Sequence, residues 1–184
     1  MKRIEVIIGG FGGQGTLLAG AILSRAAVFE GKKVVQTQSY GAEARGGAAR
    51  SEVVVSDEDI DYPMVIGADA LIAMSQLALN RYIGRVKADG VVMIDEDLVK
   101  EIARKDVRVV KIPATKIASE ELKLPIIANM IMMGALTALT GMVKPETLTK
   151  SIKISVPKGT IQMNLKALRR GLKLAESTKG KKMF

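Results

Sequence analysis

Short apolar runs divide the first two thirds of the chain at intervals that suit a sheet. The runs are rich in β-branched residues and are bounded by glycine or by charged residues, which is typical of buried strands. Six such runs predict strands: Ile4–Ile8, Val34–Val35, Val53–Val55, Leu71–Met74, Val91–Ile94 and Val107–Ile112. Between the first two, residues 15–30 have helical spacing, with one apolar face formed by Leu18, Ile22, Ala26 and Phe29. A strand, loop, helix and strand in this order favour a mostly parallel sheet with right-handed crossovers.

The last third of the chain predicts helices. Pro125 opens an apolar helix that Gly141 ends, and Pro145 stands where a first-turn proline belongs. From Thr160 onward, apolar residues recur every three or four positions, at Ile161, Leu165, Leu168, Leu172 and Ala175. We therefore expect an α/β fold with three layers, α/β/α: a mostly parallel sheet with a Rossmann-like start, and a helical C-terminal third that covers one end of the sheet.

Length and composition fit one domain. The chain has 184 residues, 48% of them hydrophobic, and no shift in composition marks a second unit. We expect a single domain over residues 1–176 and a basic, flexible tail over residues 177–184. The net charge is +9, and seven basic residues but one acid lie between Lys166 and Phe184. Such a stretch can steer an acidic partner or a phosphate, and a solvated helix face with a frayed tail explains it equally well.

The chain has neither cysteine nor histidine. Disulfides, iron–sulfur ligation by cysteine, imidazole bases and nearly all zinc chemistry are therefore excluded. Without histidine, the serine and threonine hydroxyls also lack the usual base of a nucleophilic triad. We accordingly predict no catalytic residue and no metal ligand in this chain. Aromatic residues make up 3% of the sequence, which disfavours nucleic-acid binding by base stacking.

The location is predicted from two apolar segments. The first, near the N-terminus, is short and interrupted by Glu5, so it predicts a strand and not a signal peptide. The longest, Leu124–Leu139, contains Pro125 and Asn129 and is shorter than the roughly 20 residues of a membrane span. We expect a cytoplasmic chain that does not associate with membranes.

A glycine-rich segment, G-G-F-G-G-Q-G, follows the first predicted strand from Gly9 to Gly15, and we name it loop 1. Three of its glycines, Gly10, Gly12 and Gly15, fit the G-x-G-x-x-G pattern of dinucleotide sites. Such a site also needs an acid at the end of the next strand to bind the ribose, and residues 36–38 there read Q-T-Q. Classical NAD binding is therefore disfavoured.

Loop 1 also departs from a phosphate-binding P-loop, because Thr16 stands where the lysine should follow the last glycine. What is left is a glycine loop at a helix N-terminus, whose free N–H groups and dipole can receive an anion or a partner's backbone. The alternative is a tight turn that only packs, with Gln14 exposed. As cofactor-binding or subunit-interface residues we predict Gly12, Gly13, Gln14, Gly15 and Thr16.

A second glycine-rich segment, S-Y-G-A-E-A-R-G-G-A-A-R, runs from Ser39 to Arg50, and we name it loop 2. Its charges, Glu43 and Arg45, are two residues apart and are expected to have separate partners; the planar guanidinium suits a carboxylate or a phosphate. Tyr40 is either a half-buried anchor or part of an interface. The candidates for cofactor binding or a subunit interface are Ser39, Tyr40, Gly41, Glu43, Arg45, Gly46 and Gly47.

For three later polar residues the sequence predicts a structural role. Ser75 follows a predicted strand and is expected to cap the next helix. Asn129 lies in the apolar helix, where a buried amide with satisfied hydrogen bonds is expected. Lys116 is expected to be exposed at a helix start.

Both loops, with three further segments, resemble the gamma subunit of the 2-oxoacid:ferredoxin oxidoreductases, most closely the 2-oxoglutarate type. The further segments are S-D-E-D-I-D-Y-P at Ser56–Pro63, I-A-M-S-Q at Ile72–Gln76 and A-N-M-I-M-M-G-A at Ala128–Ala135. The resemblance covers nearly the whole chain. Relatives that act on pyruvate, branched-chain oxoacids or indolepyruvate carry similar loops, so the resemblance is specific for the family and less so for the oxoacid.

This resemblance implies a multi-subunit enzyme that decarboxylates a 2-oxoacid on thiamine diphosphate and Mg, passes electrons through iron–sulfur clusters to ferredoxin, and releases an acyl-CoA. It implies alpha and beta partner subunits, with a delta subunit as a further candidate. This chain would bind no cofactor alone; it would cover the active centre and help coenzyme A to enter. The alternative is a freestanding nucleotide-binding regulator that uses Gly10–Gly15. A homodimer of the isolated chain, through its Met-rich helix, stays open.

Overall fold

The computed structural model of the chain describes residues 3–41 and 47–177. Strands occupy the six predicted places, and helices follow the predicted order. Within the described ranges the elements are β1 (Ile4–Phe11), α1 (Thr16–Phe29), β2 (Lys33–Tyr40), β3 (Ala48–Ser56), β4 (Ala68–Ala73), α2 (Gln76–Tyr82), β5 (Val86–Asp95), β6 (Arg108–Ile112), α3 (Ala114–Lys116), α4 (Ala128–Thr140), α5 (Pro145–Ser155) and α6 (Ile161–Ser177). Short helical turns connect some of them, at Ile83–Arg85, Ile117–Glu121, Pro125–Ile127 and Lys158–Thr160.

The six strands form one sheet in the order β2, β3, β1, β4, β5, β6. All of the pairings are parallel except those of β3, which runs antiparallel to both β1 and β2. The expected mostly parallel α/β sheet is therefore confirmed. One detail differs from a Rossmann start: β3 folds back from β2 and lies between β2 and β1, so the strand after α1 does not lie beside the first strand.

Helices cover both faces of the sheet. On one face, α1, α4, α5 and α6 share a core with strand residues such as Ile8, Val53 and Met93. On the other face, α2 packs over β1 and β4 on a smaller core that includes Ile7 and Leu71. The C-terminal helices thus extend the layer that α1 begins, and do not only cover one end of the sheet.

The buried face of α1 differs in part from the predicted one. Ile22 and Ala26 are fully buried, as the spacing predicted, but Leu18 is 37% exposed and Phe29 is 36% exposed. The reason is that α1 packs against both the sheet and α5, which moves its buried face onto small residues such as Ala19. Leu18 is consequently free to line the groove described below.

Helix α4 is buried on almost every side. Its methionines Met130, Met132 and Met133 have no exposed surface. Helix α6 packs against it so closely that a Cβ at Gly134 would lie 2.2 Å from the carbonyl oxygen of Leu168, and a Cβ at Gly171 would lie 1.9 Å from that of Ile131. The Met-rich helix is part of the core and is not available as a dimer surface.

The predicted helix boundaries are also found. The Ser75 hydroxyl accepts a hydrogen bond from the Ala78 N–H at the start of α2, Gly141 ends α4 with φ 62°, and Pro145 is the first residue of α5. Helix α6 continues through Ser177, one residue into the expected tail, and residues 178–184 lie outside the described residues. None of the helices in the described ranges is long and apolar enough to cross a membrane.

Candidate functional site

Loop 1 leads from the end of β1 into α1 through a tight backbone turn. Gly13 has φ 100° and Gly15 has φ 71°, both in the left-handed region that side chains disfavour. Gly10 allows a close approach, since a Cβ there would lie 2.5 Å from Oε1 of Gln14 and 2.9 Å from the methyl group of Thr16. The glycine content of loop 1 therefore has a separate backbone reason at each of these positions.

Two side-chain amides, one within loop 1 and one on α4, fix the backbone of loop 1. Gln14 accepts a hydrogen bond from the Phe11 N–H (2.7 Å) and donates one to the Met74 carbonyl (2.9 Å), which joins the loop to the end of β4. The interpretation of Gln14 as an exposed residue of a turn is therefore wrong. Asn129 of α4 donates to the Gly15 carbonyl at 3.0 Å and is only 3% exposed. Its Oδ1 is buried and has no hydrogen-bond partner in the described part of the chain. The expectation of a buried amide with satisfied hydrogen bonds therefore holds for the Asn129 NH₂ group and not for its oxygen.

The two glycine loops lie side by side. The Gly12 N–H donates to the Gly47 carbonyl at 2.8 Å, and Gly41 N–H donates to the Ala48 carbonyl at 3.1 Å, which closes the hairpin of β2 and β3. Tyr40 at the end of β2 is 73% exposed, so it is not a half-buried anchor. Ser39 is also exposed. The other predicted members of loop 2, Glu43, Arg45 and Gly46, lie outside the described residues.

Between the two loops and the first turn of α1 lies a groove of about 480 Å³, which we name the loop groove. The groove brings seven of the predicted site residues together. Its lining consists of Gly12, Gly13, Gly15, Thr16, Leu17, Leu18, Tyr40, Gly41, Gly47 and Ala49. Three lining residues, Leu17, Leu18 and Ala49, were not predicted. Leu17 and Leu18 could have been found only from their place in the first turn of α1, and Ala49 only from its place opposite Tyr40.

The floor of the loop groove is the N-terminus of a 14-residue helix. The first hydrogen bond of its backbone ladder runs from the Ala19 N–H to the Gly15 carbonyl, so the N–H groups of residues 16–18 have no partner within the helix. Thr16, the first residue of the helix, is 1% exposed, and its methyl group faces Gly10. Backbone N–H groups, a hydroxyl and the positive end of a helix dipole suit an anion such as a phosphate.

A second cavity, of about 360 Å³, shares Gly13 with the loop groove and lies at the carboxyl ends of the parallel strands. Helix α1 leaves β1 on one face of the sheet and α2 leaves β4 on the other, so the chain changes direction between these strands, where open α/β sheets place ligands. The lining is mostly apolar: Gly13, Gln14, Met74, Leu98, Thr115, Pro125, Ile126 and Ala128. Sequence reasoning missed this cavity because its members come from four separate strand ends.

Asp95, the last residue of β5, supports the wall of this second cavity. It is fully buried and accepts hydrogen bonds from the Thr115 hydroxyl (2.6 Å) and the Thr115 N–H (3.1 Å). Burial raises the pKa of Asp95, and so does the nearby charge of Asp97; the hydrogen bonds from Thr115 and from the Asp97 N–H oppose the rise.

The raised pKa of Asp95 predicts a pH dependence of stability. Because the folded state holds the proton more tightly than the unfolded state, the free energy of unfolding should fall as the pH rises from the ordinary carboxyl value of 3.8 through the raised pKa. Asp95→Asn should remove this part of the dependence. Urea unfolding from about pH 4 to about pH 8 measures it, and Asp61→Asn, at an exposed acid, should leave the wild-type slope in place. Equal slopes for Asp95→Asn and the wild type would contradict the assignment.

Metal binding finds no support in the described residues, which contain no group of three or more acidic, histidine or cysteine side chains able to hold an ion. The prediction that this chain contributes no metal ligand stays a prediction, since part of loop 2 lies outside the described ranges.

Comparisons with known proteins identify the family. Residues 5–174 match the model of the pyruvate ferredoxin/flavodoxin oxidoreductases. The chain is 54% identical over 177 residues to the 2-oxoglutarate synthase subunit KorC of Methanocaldococcus jannaschii, with 95% of each chain covered. It is 47% identical over 179 residues to the KorC subunit of Methanothermobacter marburgensis, covering 94% of this chain and 96% of that one.

A solved structure agrees with these relatives. The gamma subunit of a keto/oxoacid ferredoxin oxidoreductase from Geobacter sulfurreducens has a TM-score of 0.84 and 37% identity to this chain, covering 95% of this chain and 99% of the other. The predicted α/β fold and the predicted resemblance to a gamma subunit of this family are thereby confirmed. The chain belongs to the pyruvate ferredoxin/flavodoxin oxidoreductase family.

Proposed function

We propose that this chain is the gamma subunit of a 2-oxoglutarate:ferredoxin oxidoreductase and that its loop groove receives the phosphates of coenzyme A. Family membership makes the chain a subunit of an oxidoreductase, which favours this function over a freestanding nucleotide-binding regulator. The choice of 2-oxoglutarate follows the names of the relatives at 47–54% identity.

The division of labour follows from the composition. Iron–sulfur clusters need cysteine ligands, and this chain has none. The clusters, thiamine diphosphate and Mg would therefore be held by the alpha and beta subunits and, where present, a delta subunit, with ferredoxin as the electron acceptor of the assembly. This chain would cover the active centre and position coenzyme A, whose thiol accepts the acyl group.

One observation carries the coenzyme proposal: the loop groove lies at the N-terminus of α1 and is lined by residues of both glycine loops. Coenzyme A carries a diphosphate and a 3′-phosphate, which a helix N-terminus stabilises through its N–H groups and dipole. The net charge of +9 also favours the approach of such an anion. Arg45, in loop 2, is proposed as a second phosphate contact because its guanidinium can bind two phosphate oxygens at once.

Thr16→Val tests the groove in the assembled enzyme. Valine keeps the shape of threonine and removes the hydroxyl, so the Michaelis constant for coenzyme A should rise roughly five- to tenfold while the subunit stays folded and bound. Steady-state kinetics with coenzyme A varied measures the effect. Thr137→Val is the matched control, because Thr137 is a buried threonine like Thr16 but does not line the groove. If both variants have the same Michaelis constant for coenzyme A, the proposal that the loop groove binds coenzyme A is contradicted.

Arg45→Lys tests the proposed contact from loop 2. Lysine keeps the charge and loses the bidentate geometry, so the Michaelis constant for coenzyme A should rise roughly tenfold without loss of assembly. Arg170→Lys is the control, since Arg170 of α6 forms a bidentate pair with Glu121 and lies in neither loop. If Arg45 instead pairs with an acid inside the chain, the variant will lose stability or assembly and keep its coenzyme kinetics.

A further inference from the structure

The edge strand β2 offers an open hydrogen-bonding edge. In the described part of the chain it pairs with β3 alone, in an unbroken antiparallel register from Lys33 opposite Ser56 to Tyr40 opposite Ala49. An edge strand directs the N–H and C=O groups of alternate residues outward, where another strand can pair with them.

The two edges of the sheet differ in how they are protected. Strand β6, at the other edge, is five residues long and carries Arg108 and Lys111. Strand β2 is eight residues long and has no proline, no bulge and no charged residue after Lys33. Natural proteins usually shield exposed edges with charges, proline or bulges. The long and neutral edge of β2 is therefore the one suited to pairing.

We propose that two copies of the chain pair through β2, antiparallel and about a two-fold axis centred on Thr37. An axis perpendicular to the sheet reverses the strand direction and keeps each face on its own side. Because facing side chains must then lie on the same face of the sheet, the numbers of two residues that face each other across the axis differ by an even number. Centring on Thr37 places Gln36 opposite Gln38, Val35 opposite Ser39 and Val34 opposite Tyr40.

Three features select this register. Thr37 is half-buried at the centre of the edge strand, and the axis places it opposite its own copy. Tyr40, 73% exposed in the single chain, faces Val34 of the other copy. Lys33 falls opposite Gly41, so no like charges meet. Threonine pairs and aromatic pairs with β-branched residues are among the cross-strand contacts that stabilise antiparallel strands.

The expected association is weak. One pair of eight-residue strands buries less area than the roughly 1,200 Å² of a standard stable interface, so we expect dissociation in the range of about 10–100 µM for the chain alone. In an assembled enzyme the same contact would add to the contacts of other subunits. This inference does not depend on coenzyme binding.

Sedimentation equilibrium of the purified full chain measures dimerisation, and charged substitutions at Thr37 test whether this residue lies at the two-fold axis. Thr37→Lys and Thr37→Glu each place like charges opposite one another, so each variant alone should dimerise at least roughly tenfold more weakly than the wild type. A mixture of the two variants should associate again, because opposite charges then meet at the axis. Val109→Lys, the matched change on the edge strand β6, should keep wild-type dimerisation.

Tyr40→Ser gives a second measurement in case Thr37 variants fold poorly. Its side chain is mostly exposed, so the fold should be kept, and dimerisation should weaken severalfold through loss of the contact with Val34. The proposal is overturned if the wild type stays monomeric at several hundred micromolar. That result would also be found if the edge of β2 paired only with a strand of another subunit. The proposal is also overturned if the Thr37 variants dimerise as Val109→Lys does, or if their mixture fails to associate.

Discussion

Gly171→Ala should lower the free energy of unfolding by about 3 kcal/mol, although replacing glycine by alanine inside a helix normally adds up to roughly 1 kcal/mol. The reason lies in the contact between α4 and α6. A Cβ at Gly171 would lie 1.9 Å from the carbonyl oxygen of Ile131 and 3.0 Å from the backbone nitrogen of Ala135. These atoms belong to a helix backbone and cannot turn aside like a side chain, so the two helices must separate and lose packing in the core.

Urea unfolding of Gly171→Ala measures this effect, with Gly84→Ala as the matched control. A Cβ at Gly84 would meet no atom within 4 Å, so its substitution should change stability by no more than about 0.5 kcal/mol. Gly134→Ala, on the other helix of the same contact, should resemble Gly171→Ala, since its Cβ would lie 2.2 Å from the Leu168 carbonyl oxygen. A neutral or stabilising result for Gly171→Ala would show that the helices are farther apart than described.

The elements were predictable because their signals are local. The strands follow short runs of β-branched residues, and Pro125, Gly141 and Pro145 mark the helix boundaries through backbone geometry that only a few residues allow. The position of β3 was not predictable in the same way. Its pattern suits a buried strand of either direction, and the choice of β1 and β2 as its neighbours depends on contacts between distant segments.

The candidate site shows the same division. The sequence predicted two glycine loops as cofactor-binding or subunit-interface segments, and the hydrogen bond from Gly12 to Gly47 shows that the two loops meet. The groove's apolar wall and the amide contacts of Gln14 and Asn129 were missed, because their partners lie 60 and 114 residues away in the chain. A buried charge was missed for the same reason: Glu52 is 1% exposed and pairs with Arg85, which lies 33 residues away in the chain.

Gly15→Ala should disturb both the fold and the loop groove. Alanine at φ 71° costs roughly 1–2 kcal/mol, and its Cβ would lie 2.3 Å from Nδ2 of Asn129, which must move and give up its hydrogen bond to the Gly15 carbonyl. We expect a total loss of about 3 kcal/mol of stability. The Michaelis constant for coenzyme A should rise more than with Thr16→Val, because the first turn of α1 shifts as a whole.

A double-mutant cycle separates the two causes. Asn129→Ala alone should cost about 1–2 kcal/mol, since it leaves a buried carbonyl without its donor. In the double variant Gly15→Ala with Asn129→Ala, the new Cβ no longer meets the amide of Asn129. The double variant should therefore lose less stability than the sum of the two single variants, by at least about 1 kcal/mol. Unfolding in urea gives the three values. Strict additivity would mean that Asn129 does not contact loop 1, whereas a coupling of the expected sign shows that a buried amide on α4 determines the backbone conformation at the floor of the groove.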